Sequence, residues 1–384
     1  MSRFFSYINS SKKILDGYDG SQPFPFHIKK QFAANKQFGS KDRKMISEIC
    51  YAWLRTGHLF NRNLQDKNLV QALFLCVNAP HPLLAAMAPE LEEKAGLASE
   101  EKLSFLQLPT SNLFPFEKEL GAIDNTSFIL SFLKQPLLFL RLRPGKEKVV
   151  MDKLEKNSIS FSLQQDNCIA MPNATKLEEI IQMNKEAVIQ DKSSQSVFDH
   201  TVLSSFTEKI NVWDCCAASG GKSILLFDRL KGNIKLTVSD IRENILHNCK
   251  RRLQEAGINI YQALVADVAN NIPASIDKDF SIIICDAPCS GSGTWARTPE
   301  QLAFFKREKI GEFAILQKSI ATNASRHLKE GGLFFYITCS VFKQENEGVA
   351  EALQKETSLQ LLHSEYLPGY NEQADTMFVA VFRK

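Results

Sequence analysis

The 384-residue chain has no apolar run of the roughly 18 residues that a membrane-spanning helix needs. Its opening, MSRFFSYINSSKK, lacks the apolar stretch of a secretory leader. These two absences predict a soluble, cytoplasmic protein without a membrane partner. No C-x-x-C pair occurs, the nine cysteines are odd in number, and the seven histidines stand singly. Neither a disulfide framework nor a metal site is expected from that pattern. Charge of one sign is scarce as well. The 46 Lys and Arg stand against 43 Asp and Glu, for a net +3, too little to argue nucleic-acid binding by itself. What remains is ordinary: 44% apolar and 23% charged residues exclude a disordered chain and allow sizeable cores.

The distribution along the chain says more than the totals. Residues 1–68 carry 12 basic against 5 acidic residues, whereas 69–135 carry 4 against 8. The basic N-terminal segment is a candidate phosphate-facing surface. Residues 1–135 read as helical: Met45, Ile49, Ala52 and Trp53 recur at helical spacing in MISEICYAWLRTGHLF. Residues 136–192 read as a small α+β module, with strand-like PLLFLRLR, FSLQQ and CIAMP around an amphipathic VVMDKLEKNSI. From 193 to 384 strands and helices alternate, and the helix GEFAILQKSIATNASRHLKEGG is expected to stop at its paired glycines. That alternation predicts an α/β, Rossmann-like parallel sheet. The last two strands, SLQLLHSEY and TMFVAVFRK, have no helix between them and predict an antiparallel edge.

The first strand, INVWDCC, runs into Cys216, Ala217, Ala218, Ser219, Gly220, Gly221 and Lys222. A Gly-rich turn between strand and helix lets backbone N–H groups approach a ligand. A P-loop would need glycine at position 216, and a dinucleotide fingerprint would need glycines among 216–218, so neither fits. A nucleoside without a pyrophosphate needs less glycine. Asp240 closes the second strand 19 residues after Gly221, where it can accept from ribose hydroxyls. Asp267 closes the third strand, placed to meet an adenine amino group, and Asp286 closes the fourth. Any one of these could simply cap the following helix. Together they would repel a triphosphate and suit the cationic S-adenosylmethionine.

Two cysteines also follow apolar strands: Cys289 in Asp-Ala-Pro-Cys and Cys339 in Thr-Cys-Ser. A thiol at such a place suits methylation of a pyrimidine carbon. C5 of cytosine is a poor nucleophile until a thiolate adds at C6. A carboxyl group at the ring edge then steadies the developing charge, and a base must remove the C5 proton. Cys339, Cys289 and Asp286 supply these types, and spacing alone leaves open which cysteine attacks.

Taken together, these stretches resemble the RsmB/Sun family of RNA cytosine-5 methyltransferases. The resemblance rests on IQDKSSQS (189–196), DCCAASGGKS (214–223), VSD (238–240), AD (266–267), DAPCSGSGTWARTPE (286–300) and YITCSVFKQENEG (336–348), in the family order. It implies S-adenosylmethionine as cofactor, bound by 216–222, Asp240, Asp267 and Asp286. It also implies Cys339 as nucleophile and Cys289 as the residue that helps resolve the covalent adduct. Gln190, Asp191 and Ser193–Gln195 match the stretch entering the catalytic domain and are expected to hold the cofactor loop. GSKDRKMISEICYAWLRTG is similar to the NusB-like RNA-binding domain of the same branch, which makes Lys41, Arg43, Lys44 and Arg55 candidate phosphate contacts. Arg297 and Arg307 are further candidates near the target. The implied partner is RNA, small-subunit ribosomal RNA ahead of transfer RNA, with no obligate protein partner. The alternative is a non-catalytic RNA-binding assembly factor, which the intact cysteine pair argues against. Two positions depart from the family: Ser219 stands where proline is usual, and Thr376 where glycine is common.

Overall fold

The computed structural model describes residues 3–164, 167–199, 203, 206–276 and 278–384, and no helix among them is long and apolar enough to cross a membrane. The chain forms two compact units.

The first unit comprises Met1–Leu120, Asp124–Gln135 and Thr294–Arg307 and is helical. Its central helix, Ser40–Arg55, buries Ile46, Ile49, Cys50, Ala52 and Leu54 on one face, as a period of 3.6 requires. Met45 and Trp53, expected on that face, are half-buried and pack on its rim. The helix starts where Asp42 accepts the Gly39 N–H at 2.8 Å. The sequence reading assigns 294–307 to the catalytic part, but this segment belongs to the helical unit. The reason is aromatic burial. Trp295, 1% exposed, packs against Phe114, Phe116 and Phe305, with ring centroids 4.8–6.2 Å away. Glu300, also buried, accepts the Phe24 N–H at 3.1 Å.

The second unit comprises Gly121–Ile123, Pro136–Gly293 and Glu308–Lys384. The 136–192 stretch, expected as a separate module, is part of it. It forms a four-stranded antiparallel sheet from β1 (Leu138–Leu142), β2 (Ser162–Leu163), β3 (Cys168–Met171) and β4 (Ala187–Ile189), in the order β2-β3-β1-β4. The remaining strands are β5 (Ile210–Asp214), β6 (Ile234–Asp240), β7 (Ile260–Val265), β8 (Phe280–Asp286), β9 (Leu328–Thr338), β10 (Gln360–Pro368) and β11 (Thr376–Arg383). They make one sheet in the order β10-β11-β9-β8-β5-β6-β7. β5 to β9 are parallel, and β11 and β10 form the antiparallel edge that the helix-free connection predicts.

Both faces of this sheet are covered. Along β8, Ile282 and Ile284 join one apolar core while Ile283 and Cys285 join the other. Such strands read as continuous apolar runs for that reason. One boundary differs from expectation. The long helix is Glu308–Ser325 and β9 begins at Leu328, before the paired glycines. Pairing with β8 shifts register between Phe280 and Ile282, and Gly331, at φ +74°, lies where β9 opposite takes up the extra residues. The glycines therefore serve a bulge within the strand. Strand order reverses between β5 and β8, so their C-terminal ends open the crevice where folds of this kind bind ligands.

Candidate active site

The turn after β5 is held from several sides. Ala218 lies at φ +44° and Gly220 at φ +79°, so the backbone turns sharply before the helix Gly221–Arg229. A Cβ on Gly220 would come within 3.0 Å of Cys249 Sγ, whereas a Cβ on Gly221 would meet nothing within 4 Å. The turn thus packs inward at Gly220 and borders open space at Gly221. Ala218 N–H donates to Asp240 Oδ2 at 3.0 Å, which ties the end of β5 to the end of β6. Ser219 is held by Arg252, whose guanidinium donates to its carbonyl at 2.9 Å and its hydroxyl at 2.6 Å.

The three strand-end carboxylates have different surroundings. Asp240 is buried and also accepts the Arg242 N–H and guanidinium, at 2.9 and 3.0 Å. Burial alone would raise its pKa, but the hydrogen bonds from Arg242 and Ala218 hold it below the usual carboxylate range. The Arg242 side chain is 57% exposed and so is free to give way to other donors. Asp267 caps its own turn, accepting from Ala269 N–H at 3.2 Å and Asn270 Nδ2 at 2.9 Å. Asp286 accepts from Lys222 Nζ at 2.6 Å. Burial opposes charge on Lys222, yet Asp286 beside it, with Cys339 also in electrostatic reach, raises its pKa.

The two singled-out cysteines meet. Cys289 Sγ and Cys339 Sγ are 3.2 Å apart, both half-buried, on turns that follow the adjacent strands β8 and β9. Hydrogen bonding with Cys339, then burial, push the Cys289 thiol well above its ordinary value.

Several residues around these thiols were not legible as site residues. Glu345 and Asn346 are fully buried. Glu345 Oε2 accepts the Ser290 N–H at 2.9 Å and Gln317 Nε2 at 2.8 Å, and Oε1 accepts the Ser340 hydroxyl at 2.9 Å. Asn346 accepts from Thr338 at 2.6 Å and donates to the Ser340 carbonyl at 2.8 Å. In the sequence they stand in YITCSVFKQENEG, one of the stretches that carry the resemblance, but nothing there gave them a role. Asp214 was also missed. It is 1% exposed, accepts from Ser223 Oγ at 2.6 Å, and has its other oxygen unpaired.

The stretch expected to hold the cofactor loop acts one step away from it. Gln190 Oε1 accepts from Arg141 Nε at 2.8 Å, and Arg141 pairs at 2.6 Å with Asp228 on the helix that follows the loop. Asp191 accepts from Asp375 N–H at 3.1 Å. In the helical unit, Lys41, Arg43 and Lys44 are exposed on the helix Ser40–Arg55. Arg55 is not available for phosphate. It is 4% exposed and its guanidinium donates to the carbonyls of Phe132, Lys134 and Ala296 and to Gln135. Arg307 pairs with Glu119 and donates to the Pro115 carbonyl, but its side chain is 51% exposed. Arg297 is half-buried in the same unit.

A family model described as 16S rRNA methyltransferase RsmB/F matches residues 201–382. A protein of Yersinia enterocolitica named ribosomal RNA small subunit methyltransferase B is 30% identical over 376 residues, 86% of each chain. Its namesake in Shewanella oneidensis is 25% identical over 83% of this chain and 82% of its own. Among solved structures, a methyltransferase homologue from Pyrococcus horikoshii shares the fold at TM-score 0.58 and 19% identity. That likeness covers 74% of this chain and 98% of the other.

Proposed function

This chain belongs to the RsmB/F family of 16S rRNA methyltransferases, and on that premise we propose that it methylates C5 of a cytosine in RNA through a cysteine adduct at C6. The observation that carries the reading is the pair of thiols 3.2 Å apart on turns after β8 and β9, with Asp286 at the end of β8 paired to Lys222, which Cys339 reaches electrostatically. S-Adenosylmethionine supplies the electrophilic methyl group. The residues fit it: an ionised carboxylate at Asp240, a sharp backbone turn at 216–222, and open space at Gly221. Asp267, though committed to its own turn, stands at the neighbouring strand end for the adenine.

Cys339 is the nucleophile. The Cys289 thiol is kept protonated by its neighbour, which suits it less for attack. Once the Cys339 sulfur is bonded to C6, its hydrogen bond with the Cys289 thiol is lost, and Cys289 is left to act on the adduct. Asp286, held by Lys222, is the acceptor for the exocyclic amino group of the base. Ribosomal RNA is favoured over transfer RNA because the relatives carry that name. The helical unit, read as NusB-like, holds RNA through Lys41, Arg43 and Lys44, with Arg297 a further contact. A target inside a stacked helix would have to be extruded.

The test uses ribosomal and transfer RNA transcripts with methyl-labelled S-adenosylmethionine. Label is expected at C5 of cytosine in ribosomal RNA. Cys339→Ala should abolish it, and Cys289→Ala should leave a protein–RNA adduct stable on denaturing gels. Label at another atom would refute the reading.

A further inference from the structure

The Cys289 turn is gripped on both sides of the cysteine by one buried pair. Before it, the Pro288 carbonyl accepts from Gln317 Nε2 at 3.0 Å. After it, Ser290 N–H donates to Glu345 Oε2 at 2.9 Å. Gln317 and Glu345 are themselves joined at 2.8 Å, and both are fully inaccessible to solvent. The other oxygen of Glu345 reaches the second turn, accepting from the hydroxyl of Ser340, the residue after Cys339. Ser290, Ser292 and Ser340 hydroxyls lie within 3.1–3.3 Å of one another and complete the frame.

We infer that Glu345 is a positioning residue for adduct resolution: one carboxylate that sets the Cys289 turn against the Cys339 turn. The inference rests on the roles given to the two cysteines above. Cys289, half-buried, first gives its own proton to solvent, and resolution then passes the C5 proton to its sulfur. The electrons of the C5–H bond re-form the C5–C6 double bond, and the C6–S pair returns to Cys339 as thiolate. That step needs the Cys289 sulfur at a fixed place over C5. Attack by Cys339 needs only the Cys339 turn, which Asn346 also braces through Thr338 and the Ser340 carbonyl. Loss of Glu345 therefore falls on the second step more than on the first. Hydrogen bonds to a carboxylate serve this purpose because acceptors on two oxygens can hold two turns at once. Burial pushes the Glu345 carboxyl upward, while the donors from Ser290, Gln317 and Ser340 oppose that shift.

The experiment is single-turnover methylation of a ribosomal RNA transcript, following covalent adduct and methylated product together. Glu345→Ala is expected to slow product release from the adduct by roughly ten- to a hundredfold, the range one hydrogen bond to a charged group represents. Adduct then accumulates although both cysteines are present. Glu345→Gln should recover most of the wild-type ratio of adduct to product. Its carbonyl can still accept from Ser290 and Gln317, and the Ser340 hydroxyl can turn to accept from its amide N–H. Unchanged affinity for S-adenosylhomocysteine shows that a variant is folded. If Glu345→Ala does not fold, Gln317→Met, which cuts the grip at Pro288 and leaves Glu345, must show the same accumulation. A fall of adduct and product in the wild-type ratio, or equal loss in the Gln and Ala variants, overturns the role of Glu345. Cys289→Ala is run beside them. If it forms no adduct, the assignment of the cysteines falls and this inference with it; adduct there but a wild-type ratio in Glu345→Ala sinks this inference alone.

Discussion

At the scale of single residues, the site keeps carboxylates in opposite states by their surroundings. Asp240 is held ionised by donors, whereas Asp214 has one donor and one unpaired buried oxygen. Burial raises the Asp214 pKa to about 7. An unfolded Asp ionises near 3.9, so from about pH 4 to about pH 7 the folded chain holds a proton that the unfolded chain has lost. In that window stability falls as pH rises, by about 1.4 kcal/mol per pH unit from this group, and is flat outside it. Asp214→Asn removes the titration. Denaturant unfolding of both proteins at pH 5 and pH 8 should show the variant gaining on the wild type by roughly 2–3 kcal/mol between the two. An unchanged difference would mean that Asp214 is ionised in the fold throughout. Arg55 shows the reverse of what its charge suggests: a guanidinium from a basic stretch became an internal strut for three carbonyls.

At the scale of elements, the turn after β5 lacks the proline usual at position 219, and proline would set φ near −65° through its ring. Here the helix Glu243–Glu255 supplies the constraint, through two hydrogen bonds from Arg252 to Ser219. The same guanidinium donates to Asn184 at 3.0 Å, so the tether also reaches the stretch before β4. Arg252→Ala should weaken S-adenosylhomocysteine binding by about three- to tenfold, consistent with losing one or two exposed hydrogen bonds. Ser219→Pro should have little effect alone and should offset much of that loss in the double variant. Calorimetric titration of the four proteins measures the coupling, and additive effects would show that tether and ring do not serve the same purpose.

At the scale of the molecule, the helical unit and the sheet unit each close their own core. Charge divides unevenly along the chain, with the basic excess in residues 1–68. RNA bound through phosphate contacts releases counterions, so affinity falls with salt. Replacing Lys41, Arg43 and Lys44 together by Gln should lower RNA affinity across sequences and reduce the salt slope by about one per lost contact. Filter binding from low to moderate salt measures it. Parallel slopes for variant and wild type would place the phosphate contacts elsewhere.

Local order in the chain was enough for the parallel sheet, its antiparallel edge and the turn after β5, because strand and helix periodicities and Gly-rich turns are short-range signals. The two cysteines were legible because each ends an apolar strand in a motif of its own. Partners far apart in the chain were decided by tertiary structure alone. Trp295 draws 294–307 into the helical core because aromatic surface is buried wherever complementary aromatics lie. Arg252 meets Ser219 across 33 residues, and Glu345 meets Ser290 across 55. A buried polar group takes its donors from whatever the fold brings near it, and sequence spacing carries no record of that choice.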